Sequence, residues 1–167
     1  MSVSAPPVSK YLPIYLNDHL GGATTGVELV ERIAKEYEGS ELGSFAGGLA
    51  DEIKADRQAL LEIMDGLGVS PDKVKVAMGW ATEKMGRLKL NGEIRDRSPL
   101  SPLVELEGLS LGIEGKRSMW VSLTETDPVA ERIGRERLRD LIARAERQRS
   151  AVEEHRLNAA RRALTSG

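Results

Sequence analysis

The sequence predicts an all-α protein, a four-helix bundle with a helical crossover between its second and third long helices. Three observations carry that expectation. Aromatic residues make up only 4% of the chain, while Leu, Ala, Glu and Arg are plentiful, a composition that favours helix over strand. Apolar residues recur at alternating steps of three and four along four long segments, the spacing of one helix face. The links between the first and second and between the third and fourth segments are short, whereas the link between the second and third is long. Two antiparallel hairpins joined by a crossover satisfy that pattern, and a simple up-down-up-down bundle does not.

The first helix is expected from Ser9 or Tyr11 to about Gly39, with Pro13 in its first turn. Its apolar stripe runs Leu16, Leu20, Ala23, Val27, Val30, Ala34 and Tyr37. The second runs from Glu41 to about Leu67, where Gly66 and Gly68 act as stop signals. Its stripe is Leu42, Phe45, Leu49, Glu52, Asp56, Leu60, Ile63 and Leu67, apolar except for two acids at its middle. Ser70-Pro71 caps a shorter crossover helix over roughly 71–90.

The third long helix covers about 101–124, with Leu103, Leu106, Leu109, Ile113 and Trp120 on its wide apolar face. Glu107, Leu111, Glu114 and Val121 share the neighbouring edge. Asp127-Pro128 caps a fourth helix running to Leu164, with Leu138, Leu141, Ala145, Arg149, Val152, Arg156 and Ala159 on one face. Residues 1–10, rich in Pro and Ser, read as a disordered lead, and 11–167 as a single domain.

The absence of cysteine excludes disulfides, thiolate metal sites and cysteine nucleophiles. A net charge of −2 argues against a whole-molecule nucleic-acid binder. No run approaches the ~20 apolar residues of a membrane span, and "MSVSAPPVSK" has neither a basic leader nor an apolar core. The expectation is a cytoplasmic protein that makes no membrane contact. Homodimerisation through a helix face is the expected assembly. The glycines of "GGATTG", "GGLADE" and "GLSLGIEG" are read as sites of close helix approach, with a small pocket beside them as the other reading.

The stretches "YLNDHLGGATTGVELV", "LADEIKADRQALLEIM" and "LVELEGLSLGIEGKRSMW" resemble helices of the ferritin-like superfamily, in particular small bacterial ferritin-like proteins of unassigned function. The resemblance implies a bundle centre with an inward Glu on two helices and Glu-x-x-His on the other two. Carried over position by position, the first Glu falls at Ala23. Glu52 keeps the second, but Ala55 stands where the imidazole belongs. Glu107 is the third, and Glu146 is followed by Arg149 in place of histidine. The resemblance also implies a loose association with stress responses or iron handling.

Three readings follow from those residues. Glu52, Asp56, Glu107 and Arg149 form an internal ion-pair cluster and need no cofactor, because the Arg guanidinium matches a carboxylate; this is the preferred expectation. Alternatively, Glu52, Asp56, Glu107, Glu114 and Glu146 offer oxygens to iron or manganese in an unorthodox oxidase or iron-handling site. In the third, Glu52 and Asp56 are solvated at the edge of the stripe, or pair with Arg57 and Lys54 on a neighbour. His19 and His155 are read as surface or partly exposed residues. The fourth helix carries ten arginines against six acids between Glu131 and Leu164, a solvated face or a subunit contact. A non-catalytic protein with a structural, stress-related or partner-binding role is the favoured function, with the metal-dependent enzyme as the alternative. A scaffold whose basic outer helix contacts nucleic acid or another protein stands third.

Overall fold

The computed structural model describes residues 9–73 and 98–165. Five helices make up the described chain: α1 (Leu12–Glu36), α2 (Glu41–Gly66), α3 (Leu100–Thr124), α4 (Asp127–Ile133) and α5 (Arg135–Thr165). The described residues are all-helical, as the composition and periodicity require. The expected crossover helix lies outside the described residues from 74 onward, and the expected disordered lead lies outside them over 1–8.

α1 and α2 form one hairpin, and α3 and α5 form the other. The α1–α2 turn is closed by Ser40, whose hydroxyl donates to the Tyr37 carbonyl at 2.6 Å and accepts the Gly43 N–H at 3.1 Å. That second bond is an N-cap, satisfying one of the donors that every helix start leaves open. In the second hairpin the sequence pattern runs unbroken through "DPVAERIGRER", yet the chain breaks there. Gly134 adopts φ +96°, a conformation that side chains with a Cβ resist. The single fourth helix expected from Asp127 is therefore two helices. The break lets short α4 fold over the bundle end, burying Val129 and Ala130, while Arg135 returns to pair with Asp127 and donates to the Thr124 carbonyl at 3.3 Å.

Contacts between hairpins fix helix directions. Arg32 and Tyr37 near the end of α1 meet Glu105 near the start of α3, so α1 and α3 are antiparallel. Glu62 meets Arg137, Asp56 meets Arg144 and Phe45 stacks on His155, so α2 and α5 are antiparallel too. α2 and α3 consequently run parallel. Gly66 lies near Arg132 of α4, whereas Pro99 and Pro102 lie beside Tyr37 and Ser40. The chain ends joined by residues 74–97 therefore sit at opposite ends of the bundle. Asn17 ties down the start of that connection: its amide donates to the Ser70 carbonyl at 3.2 Å, and its oxygen accepts the Asp72 N–H at 2.6 Å.

Two apolar clusters fill the bundle. One, at the α4 end, joins Leu16, Leu20, Leu60, Met64, Trp120 and Leu138; the other, at the α1–α2 turn, joins Val30, Ile33, Ile53, Leu106, Ile113 and Val152. Burial of each large side chain stabilises the fold by roughly 1.5–3 kcal/mol, so these clusters dominate the apolar driving force.

At Gly108 a Cβ would touch Leu29 of α1 at 3.6 Å, as close helix approach predicts, but most of the glycines behave differently. A Cβ at Gly22, Gly26, Gly47, Gly48, Gly112 or Gly115 would meet no atom within 4 Å, whereas at Gly43 it would fall 2.1 Å from the Tyr37 carbonyl oxygen. The exclusion is local to the turn, where backbone cannot yield. Gly43→Ala should thus destabilise the protein by about 1–3 kcal/mol, whereas Gly47→Ala should be neutral or stabilising. Urea unfolding of the two variants checks this, and equal effects would refute the steric account.

Candidate functional site: a charged layer at the bundle centre

A band of charge separates the two apolar clusters. On α2 Asp56 falls between Ile53 and Ala59, on α3 Lys116 between Ile113 and Met119, and on α5 Arg144 between Leu141 and Ala145. Asp56 is only 2% exposed. A carboxylate taken that far from water is costly unless charge and hydrogen bonds replace its hydration.

The replacement is complete. Arg144 donates to Asp56 Oδ1 through Nε at 2.6 Å and approaches it through Nη2 at 2.5 Å. Lys116 Nζ donates to Oδ2 at 2.5 Å, and Gln148 Nε2 donates to the same oxygen at 2.9 Å. Gln148 then closes the network, accepting from Lys116 at 2.6 Å and donating to Glu52 at 3.0 Å. Burial pushes the Lys116 ammonium below the usual lysine range, and Asp56 opposes that shift. The carboxylate that Lys116 contacts is thus the main influence opposing the loss of its proton. By contrast, the Trp120 indole N–H is the one buried side-chain donor or acceptor among the described residues with no hydrogen-bond partner.

The structure places the four residues expected as one cluster in three different settings. Asp56 is central, while Glu52 is exposed and reaches the layer only through Gln148. Glu107 lies outside, 3.5 Å from Arg156. Arg149 also points outward, its side chain 51% exposed, and pairs with Glu114 at 3.0 Å. The reason is helical phase. The buried face of α5 steps from Leu141 to Ala145, then Gln148 and Val152; a second step of four, to Arg149, rotates off it. Lys116, Arg144 and Gln148 are the partners that the sequence reading missed.

The alternative set of metal ligands is dispersed in the same way. Glu146 bonds Arg117 at 3.1 Å on the surface, and Glu114 is shared between Arg117 and Arg149. A hard ion needs several convergent anionic oxygens. Among the described residues no three His, Asp or Glu side chains are grouped to hold an ion. Both Asp56 oxygens already accept from cationic side chains, whose charges would repel an incoming metal ion. The residues present do not fit iron or manganese at this centre. His155 is half-buried, not a surface residue, with its ring stacked on Phe45 at 3.9 Å between centroids.

A second polar node lies toward the α1–α2 turn. Glu105, 7% exposed, accepts from Tyr37 Oη at 3.1 Å and from Arg32 at 3.3 Å. Burial raises the pKa of its carboxyl, the neighbouring Glu36 adds to the rise, and Arg32 partly offsets it. Burial, with the Glu105 charge behind it, also pushes the Tyr37 hydroxyl up.

No protein family, curated protein or solved structure matches this chain.

Two outcomes follow from these geometries. Asp56→Ala strands Lys116 and Arg144 and should cost about 3–5 kcal/mol, whereas the combination Asp56→Leu, Lys116→Met and Arg144→Leu should recover most of that loss. Urea midpoints of the two proteins decide it, and an equally unstable triple variant would show that the layer contributes more than mutual neutralisation. For Glu105, the folded protein keeps a proton at pH values where the unfolded chain has released it. Its contribution is therefore present below the ordinary carboxylate range and lost as pH rises through the raised pKa. Relative to Glu105→Gln, the parent protein should lose stability as pH rises above the ordinary carboxylate range; parallel pH profiles would contradict this.

Proposed function

We propose that the chain is a ferritin-like four-helix bundle with a crossover between α2 and α3, whose central metal site is replaced by an internal carboxylate–cation cluster. It acts as a non-catalytic cytoplasmic protein with a structural or partner-binding role, paired with a second copy of itself and, by the resemblance, stress-related. The observation that carries this reading is the saturation of Asp56: both oxygens are engaged by Lys116, Arg144 and Gln148. A centre whose carboxylate is neutralised by the chain's own cations has no need of a metal and little affinity for one.

Helix direction supports the architecture. Parallel α2 and α3 fit the one-crossover arrangement that distinguishes ferritin-like bundles from up-down-up-down ones. No helix among the described residues is long and apolar enough to cross a membrane, consistent with a role away from the bilayer. Part of the basic character of α5 is absorbed within the protein, since Arg135, Arg137, Arg144, Arg149 and Arg156 each pair with a carboxylate. This makes nucleic acid a poor fit as partner.

Elemental analysis tests the proposal directly. The protein purified without chelator, then incubated with ferrous or manganous ion and desalted, should retain far less than one ion per chain and consume no oxygen. Retention of one or more ions per chain, abolished by Asp56→Asn, would establish the metal-dependent alternative instead.

A further inference from the structure

The outer face of α5 carries leucine where a helix backed only by solvent needs none. At about 100° per residue, the line Ala143, Ser150, Leu157 and Leu164 falls opposite the buried line Leu141, Ala145, Gln148, Val152 and Ala159. Leu157 is 41% exposed and Leu164 71%. Leu111 of α3, 62% exposed, borders the same face. Its neighbours Glu107 and Glu114, four residues before it and three after, pair with Arg156 and Arg149 of α5. Leu111 therefore lies beside the middle of that helix. A leucine exposed singly needs no explanation, but several aligned on one side of a helix mark a contact surface.

The charges on this face show what fits it. Glu154 and Arg161 flank Leu157, one turn to either side, and both are exposed. Neither enters an ion pair among the described residues. Arg161 donates one N–H to the Asn158 side-chain oxygen at 2.6 Å, which leaves its guanidinium further donors. The order of signs, negative before Leu157 and positive after it, is self-complementary.

An antiparallel neighbour of the same sequence satisfies that order. With a two-fold axis between Leu157 and Asn158, Glu154 stands opposite the partner's Arg161, and Arg161 opposite the partner's Glu154. Leu157 meets the partner's Leu157 with an axial offset of about 1.5 Å. Leu164 falls level with the partner's Ala151, beside the small Ser150, and Leu111 comes alongside the partner's Leu164. A parallel pairing would set Glu154 against Glu154 and Arg161 against Arg161, and like charges oppose it.

We propose that the outer face of α5 is the surface through which two copies of this chain associate, antiparallel about Leu157, with reciprocal Glu154–Arg161 ion pairs. This rests on the pairing with a second copy proposed above and assigns its surface and register. The central layer around Asp56 takes no part, since it lies on the opposite side of α5.

Sedimentation equilibrium of the full-length protein is the test. At micromolar concentration the parent should sediment at twice the 18.2 kDa of one chain. Leu157→Glu, which brings carboxylates together on the axis, should weaken the dimer about tenfold or more, as should Glu154→Arg or Arg161→Glu alone. The double exchange of Glu154→Arg with Arg161→Glu should restore it, because each reversed charge again faces its opposite. All three positions are exposed, so helical circular dichroism should match the parent's throughout. A dimeric parent that Leu157→Glu leaves intact would overturn this surface while the pairing itself stands. A monomeric parent would overturn the pairing, and the surface with it. A double exchange no tighter than either single one would overturn the antiparallel register.

Discussion

The constraint on which the structure turns is the burial of one carboxylate. Asp56 sits in the middle of α2, 2% exposed, where an ionised group without compensation would be prohibitively unstable. Everything at that level answers to it: the arginine on α5, the lysine on α3, and the glutamine that links the lysine and Asp56 itself to Glu52. Such clusters contribute little net stability compared with an apolar core of the same volume. Their effect is on specificity, since only one axial register of α2, α3 and α5 lets all four side chains meet.

That division of labour explains the apolar clusters on either side. Leucine-rich surfaces tolerate sliding and repacking, because many arrangements bury similar area. A layer of short, directed charge-assisted hydrogen bonds does not. The two clusters supply the favourable burial, and the layer between them selects one alignment. Cluster and layer are distinct in chemistry, yet they act together: the clusters take Asp56 out of water, and the layer adds directed contacts that favour one register.

Much of the fold was legible because hydrophobic periodicity is a strong signal over long helices. The bounds of α2 and α3 were close, and parallel α2 and α3 agree with the short–long–short pattern of links. Gly134 escaped notice because a single glycine in a charged run leaves the apolar spacing intact. Asp56 was identifiable as an acid on the buried stripe, but Ile53, not Glu52, is its true neighbour on that face. The counter-ions were harder to read. Arg144 and Lys116 lie at the margins of apolar faces, where long side chains reach inward from positions that look exposed. Gln148 and Arg149 are adjacent, and only the fractional pitch of the helix decides which one faces in. Glu105 and Tyr37 lie far apart in sequence, so their pairing has no local signature.

The parallel course of α2 and α3 places the negative member of the central layer on one hairpin and its cationic partners on the other. Asp56 belongs to the α1–α2 half, and Lys116 and Arg144 belong to the α3–α5 half. Two copies of the first half packed face to face would confront carboxylate with carboxylate. Two copies of the second would crowd ammonium and guanidinium groups together. Each half is therefore unsuited to burying its inner face against its own kind and suited to burying it against the other. Like-with-like assembly of exchanged halves is disfavoured by charge alone, before any difference in shape is considered.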